Sequence, residues 1–292
     1  MAEGFLLIDK AGGWTSHDVV AKCRGILGER RIGHAGTLDP MATGLLVLGV
    51  GRATRLIRYI QEGTKTYVAS VAFGIATDTL DADGAILSRE PMSFGPDELD
   101  AVAARFIGPI SQIPPMVSAV RVGGRRLYEL AREGIEVERA PRPVEIHSIE
   151  VLEFAPGPYP EIEISVTCGS GTYIRTLADD LAQSLGGRAH LTALRRTSIG
   201  RRSVDAATTV ENLDSLEDPV SELLPMAAGL DDLGQVVVDE ATVTGVSNGV
   251  VFAATALGIT GPGTYRFVDE GGRLLAVYVS DGRQAKPEVV LA

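Results

Sequence analysis

Apolar positions recur at helical spacing in some stretches of the chain and alternate with polar ones in others. Gly4 to Ile8 is a short apolar run and Lys10 to Gly13 is turn material, so the chain is expected to open on a strand. Val19, Val20, Cys23, Ile26 and Leu27 follow at helical spacing, with Ser16 as the expected N-cap and Gly28 as the stop. Arg30 to Thr43 reads as a loop, and Leu45 to Val50 as a buried strand. Leu56, Ile57 and Ile60 predict a short helix, and Thr66 to Gly74 a strand that ends in a polar turn at Thr77 to Gly84. Pro96 to Phe106 reads as a helix, Val117 to Val122 as a strand, and Leu127, Leu130 and Ala131 as a short helix. Val144 to Phe154 alternates with one slip at His147-Ser148, which predicts a bulge. Ile162, Ile164, Val166 and Cys168 alternate cleanly, the period of a half-buried strand. The turn Gly169-Ser170-Gly171 then enters a helix carrying Ile174, Leu177, Leu181 and Leu185, stopped by Gly186-Gly187.

After about residue 230 the pattern changes to short strands between glycine-rich turns: Val236 to Val238, Val250 to Phe252, Tyr265 to Val268 and Leu274 to Val279. A small all-β domain over residues 230–292 is expected behind a larger domain over 1–229, with the acidic stretch Glu211 to Asp232 as a helical linker.

The chain has 292 residues, of which 45% are hydrophobic, which excludes wholesale disorder. No apolar run approaches a membrane span, and the first residues carry no secretory pattern. Two cysteines, Cys23 and Cys168, fit a reducing cytoplasm. No His-x-x-x-His or Cys-x-x-Cys pair occurs, so no metal site is expected. The net charge of −11 argues against a generally basic nucleic-acid binder. Its distribution is uneven. Of 27 basic residues 23 are arginine; five of them lie without an acid between Arg188 and Ser203, and three more between Arg121 and Arg126. These are either local phosphate-binding tracks or solvated surface.

Three clusters could carry chemistry. Gly33 to Gly44 is a glycine-rich loop whose single carboxylate is Asp39, followed by Pro40. Asp39 is either a held nucleophile or base, or an ordinary Asp-Pro turn. Lys65-Thr66-Tyr67 puts an aromatic at a strand start, where it either stacks on an unpaired base or is half-buried in the sheet. Gly169 to Arg175 places Arg175 in the first turn of a helix, either solvated or turned inward onto a carboxylate. Thr79 to Glu90 imitates a calcium loop, but Thr79 stands where Asp is needed, so a polar turn is expected.

Together the pieces resemble the bacterial tRNA pseudouridine synthase B (TruB-type) family. The resemblance runs from Gly4 to about Ile199. It rests on Leu7-Ile8-Asp9-Lys10, His34 to Gly44, Lys65-Thr66-Tyr67, Thr77 to Gly84, Ile113 to Ala119, Gly171 to Arg175 and Leu191 to Arg196 in this order. It implies an α+β fold with an extended, largely antiparallel mixed sheet, and a small all-β C-terminal domain of PUA-like type. It implies isomerisation of the T-loop uridine at tRNA position 55, with Asp39 as catalytic carboxylate, Tyr67 stacked on the base and Arg175 paired with Asp39. Asp81 matches a second acid of that network, and His34 and Gly36 fall in the RNA-binding loop. Lys10 and Leu194 match active-site wall or support positions. No cofactor or metal is implied, since the reaction conserves its atoms. The partner implied is the tRNA T-stem-loop, with Arg125, Arg126, Arg195 and Arg196 as candidate RNA contacts and residues near 121–142 as a gripping insertion. A monomer is expected. Two rival readings are a non-catalytic tRNA-folding protein and a glycosidase-like hydrolase, which would need a carboxylate pair.

Overall fold

The computed structural model describes residues 2–118 and 120–291. The chain begins with β1 (Gly4–Lys10), α1 (Ser16–Leu27), β2 (Ile32–His34), β3 (Thr43–Val50), a 3-10 turn (Gly51–Leu56) and α2 (Ile57–Gln61). Then come β4 (Lys65–Phe73), β5 (Ile75–Thr77), β6 (Ile86–Arg89), α3 (Pro96–Ala103) and β7 (Gly108–Gln112). A small hairpin, β8 (Arg121–Val122) and β9 (Arg125–Arg126), leads to α4 (Leu127–Arg132), β10 (Arg142–Ala155), β11 (Glu161–Cys168), α5 (Ile174–Ser184) and β12 (Ala189–Ile199). The remainder holds β13 (Arg202–Ser203), α6 (Val210–Ser215), β14 (Gly234–Val237), α7 (Glu240–Ser247), β15 (Phe252–Ala253), β16 (Pro262–Val268), β17 (Leu274–Asp281) and β18 (Gln284–Val290). Among the described residues no helix is long and apolar enough to cross a membrane.

Internal contacts divide the chain into two units. One takes the residues up to Asp39, Leu45–Gly63 and everything from Gly200; the other takes Pro40–Gly44 and Thr64–Ile199. The second unit is built on the antiparallel run β12–β4–β11–β10–β7. Thr43 and Gly44 join it in parallel beside Arg195 and Arg196, which makes the sheet mixed. β11 alternates buried and open residues, as its sequence period requires. The register of β10 shifts between Ile146 and Ser148, the position of the anticipated bulge. α5 buries Ile174, Leu177, Ala178, Leu181 and Ala182. The strand expected from Val117 forms only at Arg121–Val122; Ala119 lies outside the described residues.

In the first unit β2 pairs antiparallel with β3, and β1 lies on the other side of β3. Leu45 to Val50 are all buried, as a strand covered on both faces must be. The loop expected from Arg30 thus contains a strand, because Ile32 buries itself opposite Val50. α1 corrects a second expectation: its N-cap is Thr15, not Ser16. Thr15 Oγ1 accepts from the Asp18 amide at 3.1 Å, and Asp18 accepts from the Thr15 amide at 2.9 Å. Such a capping box is worth about 1 kcal/mol.

The acidic stretch is no linker. It breaks into α6 and two 3-10 turns, buries Leu213 and Leu230, and bonds Leu224 to Phe5 in both directions at 2.9 and 2.7 Å. The C-terminal sheet has the order β14–β16–β17–β18–β15 and is separate from the large one. Its core stacks Phe267 on Tyr278 with ring centres 4.2 Å apart, and α7 adds Val246 to it. Its last strand is pinned to the 51–61 segment. Arg55 donates to the Val290 carbonyl at 2.7 Å, and Arg58 and Tyr59 meet Glu288 at 2.8 and 2.9 Å.

Candidate active site

The Asp39 loop belongs to the first unit up to Asp39 itself. β2 delivers His34, whose half-buried ring meets the His17 ring edge-on with centres 5.3 Å apart. Gly36 has φ +96°, a conformation that costs a side chain strain, so the turn there requires glycine. Leu38 is buried and Asp39 half-buried. The backbone of Leu38 is held by Ser16, whose hydroxyl accepts from its amide at 2.9 Å and donates to its carbonyl at 3.2 Å. Lys10 is fully buried at the end of β1, and its Nζ donates to the Ala11 and Trp14 carbonyls at 2.9 and 2.7 Å. That ammonium organises the turn between β1 and α1. Sequence reasoning saw Lys10 as a support position but Ser16 only as a helix cap. The adjacent Thr15 competes for the cap, and no one-dimensional pattern says which hydroxyl is left for another task.

In the second unit Arg175 and Asp81 come together. They are 3% and 5% exposed, and Arg175 Nη1 lies 3.3 Å from the Asp81 carboxylate. Arg175 also donates to the Thr79 and Val117 carbonyls, each at 2.8 Å. The inward reading of this arginine is therefore the right one, and three groups from two segments share its planar fork. Asp81 is further tied by the Thr79 hydroxyl and by the Asp83 amide at 3.2 Å. The turn between them holds Leu80 at φ +62°, a strained conformation for a branched side chain, and Leu191 fixes it by donating to the Leu80 carbonyl at 3.1 Å.

Tyr67 sits on β4 opposite Arg196, and Leu194 sits opposite Ala69, two residues along. Directly opposed residues share a face, so Tyr67, Leu194 and Arg196 line one side of the sheet. Tyr67 and Leu194 are both 8% exposed. Gly44 could be no other residue: a Cβ there would lie 2.3 Å from the Arg196 carbonyl oxygen. Lys65, at the start of β4, has its pKa pushed down to about 8, first by burial and then by the nearby Arg196 charge. Gln112 is a residue the sequence did not flag. It is 1% exposed and grips Tyr173 at both ends, accepting from its amide at 2.9 Å and donating to its carbonyl at 3.2 Å.

The arginine-rich stretch does not form one open basic track. Arg188 is doubly bonded to Asp179 at 2.8 and 2.9 Å, and Arg202 is buried between Asp231 and Asp232 at 2.5 Å each. Arg196, at 1% exposure, is inside the sheet rather than on the surface expected of a phosphate contact. Arg195 is half-buried and reaches Thr43 Oγ1 at 3.5 Å. The acids that answer these arginines come from distant segments, so a local count of charge misses them. Arg125 is exposed and pairs with Glu133 at 2.5 Å, and the half-buried Arg126 donates its amide to Glu129 at 3.1 Å.

A mixed, mostly antiparallel sheet, a glycine-rich aspartate loop and a separate C-terminal sheet define a pseudouridine-synthase fold. A chain in a crystal structure of a Cbf5–Nop10–Gar1 complex is similar over 98% of this chain and 84% of that one, with a TM-score of 0.77 and 26% identity. A chain of an H/ACA RNP bound to a substrate RNA containing 2′-deoxyuridine shares the fold, with a TM-score of 0.76 at 24% identity over 99% of this chain and 85% of that one. The TruB family pseudouridylate synthase (N terminal domain) model matches residues 24–174. The tRNA pseudouridine synthase B of Mycobacterium leprae (strain TN) is 42% identical over 298 residues, covering 100% of this chain and 91% of that protein. That of Symbiobacterium thermophilum is 48% identical over 249 residues, covering 85% and 82%. The chain belongs to the TruB family of pseudouridylate synthases.

Proposed function

We propose that the chain converts the T-loop uridine at position 55 of tRNA to pseudouridine, with Asp39 as the catalytic carboxylate. One observation carries the assignment of Asp39: it is the single carboxylate of the Gly33–Gly44 loop, and the backbone just before it is clamped by Ser16. The reaction breaks the C1′–N1 bond, turns the uracil and joins C5 to C1′. C5 loses its proton and N1 gains one, so nothing is consumed. The carboxylate serves either by attack at C1′ or by taking the 2′ proton. Tyr67 stacks on the freed base, and Arg175 is the arginine of the catalytic set. Asp81 steadies Arg175, and His34 keeps the uridine flipped out of the loop, a change that costs a few kcal/mol. Residues near 121–142, with Arg125 and Arg126, grip the stem-loop, and residues 230–292 form the appended RNA-binding domain. The enzyme works as a cytoplasmic monomer.

The test is tritium release from an unmodified tRNA transcript labelled at C5 of its uridines, with the modified position mapped. Wild type is expected to release tritium from one T-loop uridine. Asp39→Asn is expected to bind tRNA with unchanged affinity and to release none. Release from other uridines would overturn the position, and turnover by Asp39→Asn would overturn the role of the carboxylate.

A further inference from the structure

We propose that Ser16 is the positioning residue of Asp39: its buried hydroxyl sets the peptide plane from which the carboxylate projects. The proposal rests on the reading of Asp39 as the catalytic carboxylate. Ser16 is the first residue of α1 and is 1% exposed. It stands 22 residues from Leu38 in the chain, and both of its hydroxyl bonds land on that one residue. The cap of α1 is Thr15, which accepts from the Asp18 amide, so Ser16 is not spent on capping.

The geometry bears directly on Asp39. The Leu38 carbonyl and the Asp39 nitrogen lie in one rigid peptide plane, so holding that oxygen fixes the direction of the Asp39 N–Cα bond. Pro40 restricts the same residue from the other side, biasing its ψ toward the extended region. The Leu38 side chain, 4% exposed, anchors the segment a third time. A hydroxyl suits this task because it accepts and donates at once, and an alanine does neither. Behind Ser16, the Lys10 bonds to the Ala11 and Trp14 carbonyls steady the turn that leads into α1. Ser16 does not titrate near neutral pH, so its effect reaches the chemistry through the placement of Asp39 alone. A displacement of ~1 Å at a reacting group costs roughly 100-fold in rate.

The experiment compares Ser16→Ala with Thr15→Ala, which weakens the same helix end without touching Leu38. Turnover at saturating tRNA, tRNA Kd and melting temperature are measured for both, with Asp39→Asn alongside. Ser16→Ala is expected to lose about 10- to 100-fold in kcat with Kd within twofold of wild type. Thr15→Ala is expected to melt lower and to keep kcat within twofold. Ser16→Cys keeps the size of the side chain but bonds weakly, and is expected to fall between Ser16→Ala and wild type. Should Ser16→Ala fold poorly, Ser16→Cys alone decides, by its kcat at unchanged Kd. A kcat for Ser16→Ala within threefold of wild type overturns the proposal. So does a Thr15→Ala variant that loses as much kcat as Ser16→Ala for the same fall in melting temperature. An inactive Asp39→Asn beside an unimpaired Ser16→Ala sinks the role of Ser16 only, whereas an active Asp39→Asn sinks the reading beneath it.

Discussion

Asp39 and Asp81 are both acids of short polar turns, and they differ in exposure and in what holds the chain beside them. At Asp39 the bonds from Ser16 go to the backbone of the preceding residue. At Asp81 the carboxylate itself is engaged, by Arg175, the Thr79 hydroxyl and the Asp83 amide. Asp39 is half-buried and Asp81 is 5% exposed. A carboxylate that must react gains from a main chain held in place, because its reach to the substrate is then fixed. A carboxylate that only orients an arginine can spend its lone pairs within the protein. The proposed function gives chemistry to Asp39 and scaffolding to Asp81.

The largest effects test that contrast directly. Asp39→Asn is expected to abolish turnover while leaving the melting temperature near that of wild type. Arg175→Lys comes next, with a loss of roughly 100-fold in kcat. An ammonium cannot span Asp81 and the two carbonyls as the planar fork does. Asp81→Ala should show itself mainly as instability. It removes the acid beside a buried guanidinium and is expected to cost about 3–5 kcal/mol, read as a fall in melting temperature on the order of 6–15 °C. If Asp81→Ala instead folds normally and loses turnover as completely as Asp39→Asn, the two acids are equivalent and the contrast fails.

Much of this was legible in the residues. The slip of alternation at His147-Ser148 marked a real bulge, and the alternation of Ile162 to Cys168 marked a strand, because period-2 burial leaves a direct trace in sequence. The candidate acid Asp39 stood out through its glycines and Pro40. Other features left no trace. β18 contains Pro287 between two charged residues, so it does not read as a strand, yet it pairs along β17. α7 is short and rich in threonine and valine, and only its Asp239 cap signals a helix. Arg196 looked like part of a basic surface, but its place opposite Tyr67 puts it inside. Ser16 and Gln112 act through backbone bonds to residues 22 and 61 positions away, and such partners are set by tertiary structure alone.

The smallest effect is expected at a third acid, Asp180, which separates scaffolding that is satisfied from scaffolding that is not. Its neighbour Asp179 is buried and accepts from Arg188 twice, from Gln183 at 2.9 Å and from the Ala189 amide at 3.3 Å. Asp180 is half-buried, and its pKa is pushed up to about 6, first by burial and then by the charge on Asp179. Between about pH 4 and pH 6 the folded protein binds more protons at this site than the unfolded chain. Stability from this group thus falls as pH rises through that window, and the penalty is complete above pH ~6. Asp180→Asn removes the charge and should raise the melting temperature at pH 7.5, with the gain vanishing near pH 4. Thermal melts of both proteins at the two pH values decide it. An equal gain at both would mean that the carboxylate carries no burial penalty, and that its placement beside Asp179 is as comfortable as that of Asp81 beside Arg175.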